Sequence, residues 1–412
     1  MEGYNKKVIM SYWTICRMKT TKKIYVKVSI IFLLGGILLF SSCEKEENQK
    51  IEANRKTLFM YLPWSSNLTN YFYNNISDLE KCITKIGLNN EKVIVFISTG
   101  STEAMMFEIV SSHGRCKREI LKKYKSPPFT TIDGITAILN DVKAFAPASV
   151  YTMIIGCHGM GWLPVYEMKV RSAPHMKMHW EYQGVPLTRY FGGLTAEYQT
   201  DIKSLASGIA NAGMKMEYIL FDDCYMSSIE VAYELKDVTK YLIGSTSEMM
   251  AYGMPYATVG EFLLGNPDYG SLCEGFHDFY STYEMMPCGT LAVTDCSELD
   301  NMAAIMKSIN DRYVFDDSLQ GELQGLDGYP PFIFYDFADY VLTLCSDPVL
   351  TARFREQLER LVPYKTHTGK FYSRTKGPLP IHTFSGITIS DPSTNPMTLP
   401  KSTTRWYKAT HG

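Results

Sequence analysis

Although the chain of 412 residues carries ten cysteines, it contains no Cys-x-x-Cys or Cys-x-x-His pair. Structural zinc sites are built from such closely spaced ligands, so the spacing argues against a zinc cluster. The same irregular spacing offers no disulfide framework, although export would leave disulfides open. Net charge is also scarce: 41 basic against 43 acidic residues leave −2. Nucleic acid and anionic membrane surfaces are therefore not expected as partners. Internal repeats are absent, as is any low-complexity linker after residue 55. A membrane-spanning run is missing too, because the apolar stretch Val28–Phe40 has only thirteen residues, against about 20 for a comfortable transmembrane helix.

That short apolar run suits the core of an export signal. Lys19, Lys22, Lys23 and Lys27 precede it, and Ser41-Ser42-Cys43 ends it. Small residues before a cysteine resemble a bacterial lipobox, in which Cys43 would be lipidated and become the mature N-terminus; Phe40 stands where Leu is usual. The following Glu44-Lys45-Glu46-Glu47 is similar to the acidic tether of surface-exported lipoproteins in Bacteroidetes-like bacteria. Met18 makes a more ordinary start than Met1. These features divide the chain into a signal (1–43), a polar tether (44–54) and a folded part (55–412). An outer-membrane or cell-surface lipoprotein is expected, with periplasmic or secreted protein as the alternative.

The folded part alternates apolar runs with helical periodicity. Lys56–Leu62, Lys92–Ser98, Ser149–Ile155, Tyr218–Phe221 and Tyr241–Ser245 read as buried strands, with Ala104–Val110 beside the second. Helices are expected to carry Leu79, Cys82, Ile83 and Ile86, to span Ile132–Phe145 capped by Thr131, and to span Asp201–Ala212. Leu163–Thr200 reads as loop and hairpin. Beyond Tyr256 the pattern is mostly helical (Thr258–Leu264, Tyr269–Tyr283, Leu299–Arg312, Tyr335–Leu344). Strands Thr290–Thr294 and Phe384–Ser390 interrupt and follow it, and a Pro-rich loop ends the chain. Such alternation predicts an α/β fold with a mainly parallel sheet and helices on both faces. The division proposed is a core of about 55–262 and a mostly helical C-terminal part of about 263–412.

One stretch carries the chemistry. Tyr218-Ile-Leu-Phe221 leads into Asp222-Asp223-Cys224, and then into Ile229, Ala232, Tyr233 and Leu235 at helical spacing, with Ser227 or Ser228 as N-cap. A thiol between a strand's carboxyl end and a helix start lies where open α/β sheets bind ligands, and the helix start favours a thiolate. The strand Ser149–Ile155 ends in Gly156-Cys157-His158-Gly159-Met160-Gly161-Trp162, so His158 sits at an equivalent strand end. Gly159 allows close backbone approach, and its N–H can face a developing oxyanion.

His158-Gly159-x-Gly161-Trp162 and Phe221-Asp222-x-Cys224-x-Met226-x-Ser228-x-Glu230-Val-Ala-Tyr-Glu-Leu235 resemble the clostripain family of cysteine peptidases, in the clan of caspases, gingipains and legumain. Thr246-Ser-Glu248 with Gly253-Met-Pro-Tyr256 and Ser385-Gly-Ile-Thr-Ile389 extend the likeness over about 55–410. The resemblance implies a caspase-like fold and a Cys/His dyad hydrolysing peptide bonds. Cys224 would be the nucleophile and His158 the general acid/base, with the N–H groups of Cys224 and Gly159 forming the oxyanion hole. It further implies that Asp222 lies in the S1 pocket and selects Arg or Lys at P1, the residue before the cut. Relatives are cleaved between histidine and cysteine, so the resemblance implies autocleavage within Leu163–Arg189, where Lys169, Arg171 and Lys177 are candidate sites; the alternative is that these basic residues only solvate the loop. Calcium is required by some members, but no calcium-loop pattern is present here. The sequence departs from the family at Cys157, where relatives commonly have Asn.

Competing readings attach to several residues. Cys157 is expected to be a small buried residue rather than a nucleophile, and Asp223 a solvent- or loop-facing carboxylate. Asp222 is alternatively a helix cap. Glu248 either borders the pocket or makes a loop salt bridge, and Trp162 either stacks near the site or packs. His113, His175, His179, His277, His367, His382 and His411 have no metal spacing; Pro174 argues against a zinc pair at His175 and His179. The function expected is an extracytoplasmic cysteine endopeptidase acting on protein or peptide substrates. Its alternatives are the same fold with another P1 preference, or a non-catalytic binding lipoprotein on this scaffold.

Overall fold

The computed structural model describes residues 54–165 and 198–412. Cys43 with its signal and tether lies outside the described residues, as do His175, His179 and the loop residues Lys169, Arg171 and Lys177.

The chain opens with β1 (Asn54–Leu62), crosses through α1 (Thr69–Ile86) and returns as β2 (Glu91–Ser98). An antiparallel pair follows, β3 (Glu103–Ser112) and β4 (Arg115–Lys125). Then come α2 (Ile132–Phe145), β5 (Ala148–Gly156), α3 (Ile202–Asn211), β6 (Met216–Asp222), α4 (Ile229–Leu235) and β7 (Thr239–Gly244). The remainder holds α5 (Tyr269–Ser281), β8 (Thr290–Asp295), α6 (Leu299–Asn310), β9 (Tyr335–Asp336), α7 (Phe337–Leu344) and α8 (Pro348–Leu361). It closes with β10 (Tyr364–His367), the hairpin β11 (Lys370–Ser373) and β12 (Gly377–Pro380), β13 (Thr388–Ile389) and α9 (Arg405–His411).

Among the described residues nine strands form one sheet in the order β10-β8-β7-β6-β5-β1-β2-β3-β4. The pairs linking β7, β6, β5, β1 and β2 are parallel, while the pairs toward both edges are antiparallel. The central strands are buried along almost their whole length, as expected where helices cover both faces. The chain builds outward from β1 in both directions. Right-handed crossovers then put α1 on one face and α3 on the other, and α1 packs toward α5's side while α2, α3, α4 and α9 pack in series. The order reverses between β1 and β5, and their carboxyl ends form the crevice where sheets of this type place ligands. β8 and β10, both past residue 262, belong to the same sheet as the core strands.

Several local expectations hold. The Thr131 side chain accepts the Gly134 N–H at 3.1 Å and starts α2; Ser228, rather than Ser227, caps α4 through the Val231 N–H at 3.3 Å. Others change. Thr258–Leu264 is a single turn (Tyr256–Val259) and a 3-10 turn (Gly260–Phe262) instead of a helix. The closing strand shrinks to β13, which pairs with β9 outside the main sheet. The C-terminal loop is helical at Pro396–Thr403 and in α9. No helix among the described residues is long and apolar enough to cross a membrane.

Candidate active site

β5 and β6 run parallel with Gly156 opposite Asp222. Continuing that register sets Cys157 level with Asp223 and His158 level with Cys224. The first pairing is explicit, since the Cys157 thiol donates to Asp223 Oδ2 at 3.3 Å. Asp223 is therefore fully buried, not solvent- or loop-facing. Beyond the strands the two loops remain in contact. A Cβ added at Gly159 would lie 2.1 Å from the Cys224 carbonyl oxygen and 2.8 Å from its nitrogen, so only glycine lets the backbones meet this closely. Gly161, at φ +60°, turns the chain against the Phe334 ring.

Cys224 sits in a turn pinned to the loop after β7. The N–H groups of Tyr225 and Ser227 donate to the carbonyls of Ser247 (3.1 Å) and Ser245 (2.9 Å). Tyr225 holds φ at +61°, unusual for a bulky side chain, and its ring stacks on Phe334 at 5.0 Å. The Met249 N–H points at Cys224 Sγ from 3.2 Å, a donor that favours negative charge on sulfur.

His158 meets a third strand end. Its Nε2 lies 2.8 Å from Oδ1 of Asn67, in the single turn Ser66–Leu68 that follows β1. β6, β5 and β1 are neighbours, so their carboxyl ends deliver Cys224, His158 and Asn67 in spatial order. No motif in the sequence singles out Asn67. The available signal was that β1 is a buried strand leading into polar residues, as β5 and β6 are.

Carboxylates surround this edge. Asp222 accepts the Met254 N–H at 2.9 Å and the Tyr256 hydroxyl at 2.8 Å, so it faces the loop after β7 and does not cap α4. Glu248 is buried and accepts the Tyr225 hydroxyl and the Arg374 N–H, each at 2.9 Å. Burial draws the Arg374 guanidinium below the usual arginine range, opposed by Glu248, Tyr372 and Cys224. Burial raises the Tyr225 phenol well above its ordinary value, and Glu248 adds to this. Asp327, pushed up to about 7 by burial, accepts the backbone N–H groups of Tyr329, Ile333 and Phe334, fixing the segment under Tyr225. Trp162 donates to Ser390 Oγ at 2.9 Å, and the Ser390 N–H donates to Glu230 at 2.7 Å. Trp162 thus ties the His158 loop to α4. Among the described residues no three His, Cys, Asp or Glu side chains are grouped to hold a metal ion; calcium finds no cluster of such donors there.

A mainly parallel sheet bearing a cysteine and a histidine on adjoining strand ends is the architecture of the caspase-like cysteine proteases. The sequence model of the clostripain family, Peptidase_C11, matches residues 60–341, and the chain belongs to that family. It is similar to a secreted C11 cysteine protease from Bacteroides thetaiotaomicron, iotapain: 60% identity, TM-score 0.81, covering 87% of this chain and 99% of that one. A clostripain from B. thetaiotaomicron ATCC 29148, solved with the peptide inhibitor BTN-VLTK-AOMK, is 67% identical over 54% of this chain and 99% of its own, with TM-score 0.53. An inactive zymogen C11 protease from Parabacteroides distasonis is 26% identical, with TM-score 0.71, covering 86% of this chain and 97% of that one. None of the curated proteins matches the chain.

Proposed function

We propose that this cysteine protease is an exported endopeptidase in which Cys224 is the nucleophile and His158 the general acid/base, cutting after Lys or Arg. The observation that carries the reading is the juxtaposition of the two strand-end loops, with Gly159 against the backbone of Cys224. The thiolate sulfur bonds to the scissile carbonyl carbon while the carbonyl electron pair moves onto oxygen. The N–H groups of Gly159 and Cys224 receive that charge. As the C–N bond breaks, the imidazolium proton passes to the leaving nitrogen. A water then gives its proton to the imidazole as its oxygen attacks the thioester. The C–S bond breaks and the thiolate returns.

Asp222 supplies the S1 carboxylate in this reading. The relative's inhibitor carries VLTK ahead of its AOMK group, and a lysine in that place supports a basic P1. A second reading rests on the two hydrogen bonds of Asp222, which pin Met254 and Tyr256 and give it a structural role instead; Glu248 then borders the pocket without opposing a cationic substrate. Assaying Lys-, Arg- and Asp-P1 peptides beside Cys224→Ala separates these. Activity on Asp but not on Lys or Arg ends the S1 reading, and equal activity in the variant ends the dyad.

Cys224 and His158 are both 0% exposed in the intact chain, which supports activation by cleavage within Leu163–Arg189. An active enzyme that stays one intact band on a denaturing gel contradicts this. Export rests on residues 1–43 and anchoring on lipidation of Cys43. Loss of labelled fatty acid from the Cys43→Ala chain is expected, and unchanged labelling would refute it.

A further inference from the structure

The Asn67 contact bears on the proton chemistry of His158 if the dyad reading holds. A neutral imidazole carries one proton on one nitrogen, and the partner of one nitrogen decides the work of the other. Asn67 Oδ1 is an acceptor only, 2.8 Å from His158 Nε2. With this oxygen toward the ring, an Nε2–H donates to it and Nδ1 is left for the exchange.

We infer that Asn67 is the positioning residue of the catalytic histidine, fixing its ring and its Nε2–H tautomer so that Nδ1 is the nitrogen that exchanges the proton. The anchoring is suited to this. Asn67 stands on a turn closed by the Leu68 N–H to the Ser65 carbonyl at 3.4 Å. Ser65 is buried and donates to the Pro63 carbonyl at 2.9 Å, and Leu68 is buried. The turn begins three residues after β1, whose register with β5 is continuous from Lys56 opposite Val150 to Tyr61 opposite Ile155. The strand register thus fixes the two chain segments from which Asn67 and His158 extend. An amide, unlike a carboxylate, orients the ring without adding charge beside the sulfur. That matters at an edge already holding Asp222, Asp223 and Glu248.

The test compares full-length native enzyme, Asn67→Ala, Asn67→Asp and His158→Ala on one Lys-P1 peptide, reading kcat, KM and the pH profile. Asn67→Ala should lower kcat roughly 10- to 100-fold, the scale of a misplaced catalytic group, with KM within about twofold. Asn67→Asp keeps an acceptor, so kcat should recover to within a few-fold of native. Its negative charge holds the imidazolium proton more tightly, so the alkaline limb should move to higher pH. Asn67→Ala with native kcat and profile beside a dead His158→Ala overturns the positioning role and leaves the dyad standing. Asn67→Asp that matches Asn67→Ala with no shifted limb also overturns it. An active His158→Ala removes the dyad reading itself, and this inference with it.

Discussion

Asp222 is where residue-scale detail bears on the proposed specificity. Each carboxylate oxygen accepts from the loop after β7, one from the Met254 N–H and one from the Tyr256 hydroxyl. An ionised carboxylate has about four lone-pair directions, so these bonds orient the group without exhausting it. If the charge faces substrate, Asn in its place keeps an acceptor and half the geometry while removing the attraction. Asp222→Asn should then lower kcat/KM for Lys-P1 by on the order of 100-fold relative to a neutral P1, read from matched peptide pairs. An unchanged ratio would leave Asp222 only the loop to hold. At this scale legibility was uneven. Cys224 and His158 stood out because each closes an apolar run. Asn67 did not, because it lies 91 residues from its histidine and nothing in its own turn marks the partner. Asp223 was placed wrongly because its partner, Cys157, belongs to a different strand.

At the scale of elements, the site is the meeting of two loops whose strands are in register. Gly159 is the point of contact. A methyl group there would sit 2.1 Å from the Cys224 oxygen, a distance at which backbone must shift. Gly159→Ala should therefore cost about 100-fold or more in kcat/KM with a folded far-ultraviolet spectrum; native activity would show that the loops tolerate separation. The buried strands were legible because continuous apolar runs leave few alternatives. β4 was missed because it is an edge strand, with Arg115, Lys117, Arg118, Lys122, Lys123 and Lys125 along it, and such charge is how an edge avoids further pairing. α8 was missed for a related reason: most of its residues face solvent, and only Leu350, Phe354, Gln357, Leu358 and Leu361 are buried. β13 was overestimated because Phe384–Ser390 is apolar enough for a longer strand, while its available partner, β9, is only two residues long.

Across the whole molecule, buried acids set how stability responds to pH. Glu230, on α4, is pushed up to about 8 from an ordinary 4.5, by burial first and then by Asp391. Burial raises Asp391 as well. A carboxyl group raised on folding holds its proton more tightly in the folded chain. Its contribution is complete below its unfolded value and is lost as pH climbs through the folded one. For Glu230 that window runs from 4.5 to about 8. The melting temperature should fall across it, and Glu230→Gln, neutral throughout and still able to accept the Ser390 N–H, should flatten the fall. An equally steep fall in the variant would assign the slope elsewhere. Because Glu230 joins α4 to the Ser390–Asp391 segment, the same titration acts on the support of the Cys224 turn. The central claim is that Cys224 is the nucleophile of a protease that reads a basic P1. It is tested most directly by incubating native protein with an electrophilic peptide ending in lysine and mapping the adduct by mass spectrometry. A single adduct on Cys224, absent from Cys224→Ala and strongly slowed in His158→Ala, is the result predicted. An adduct on another cysteine, or none while peptide cleavage continues, would contradict it.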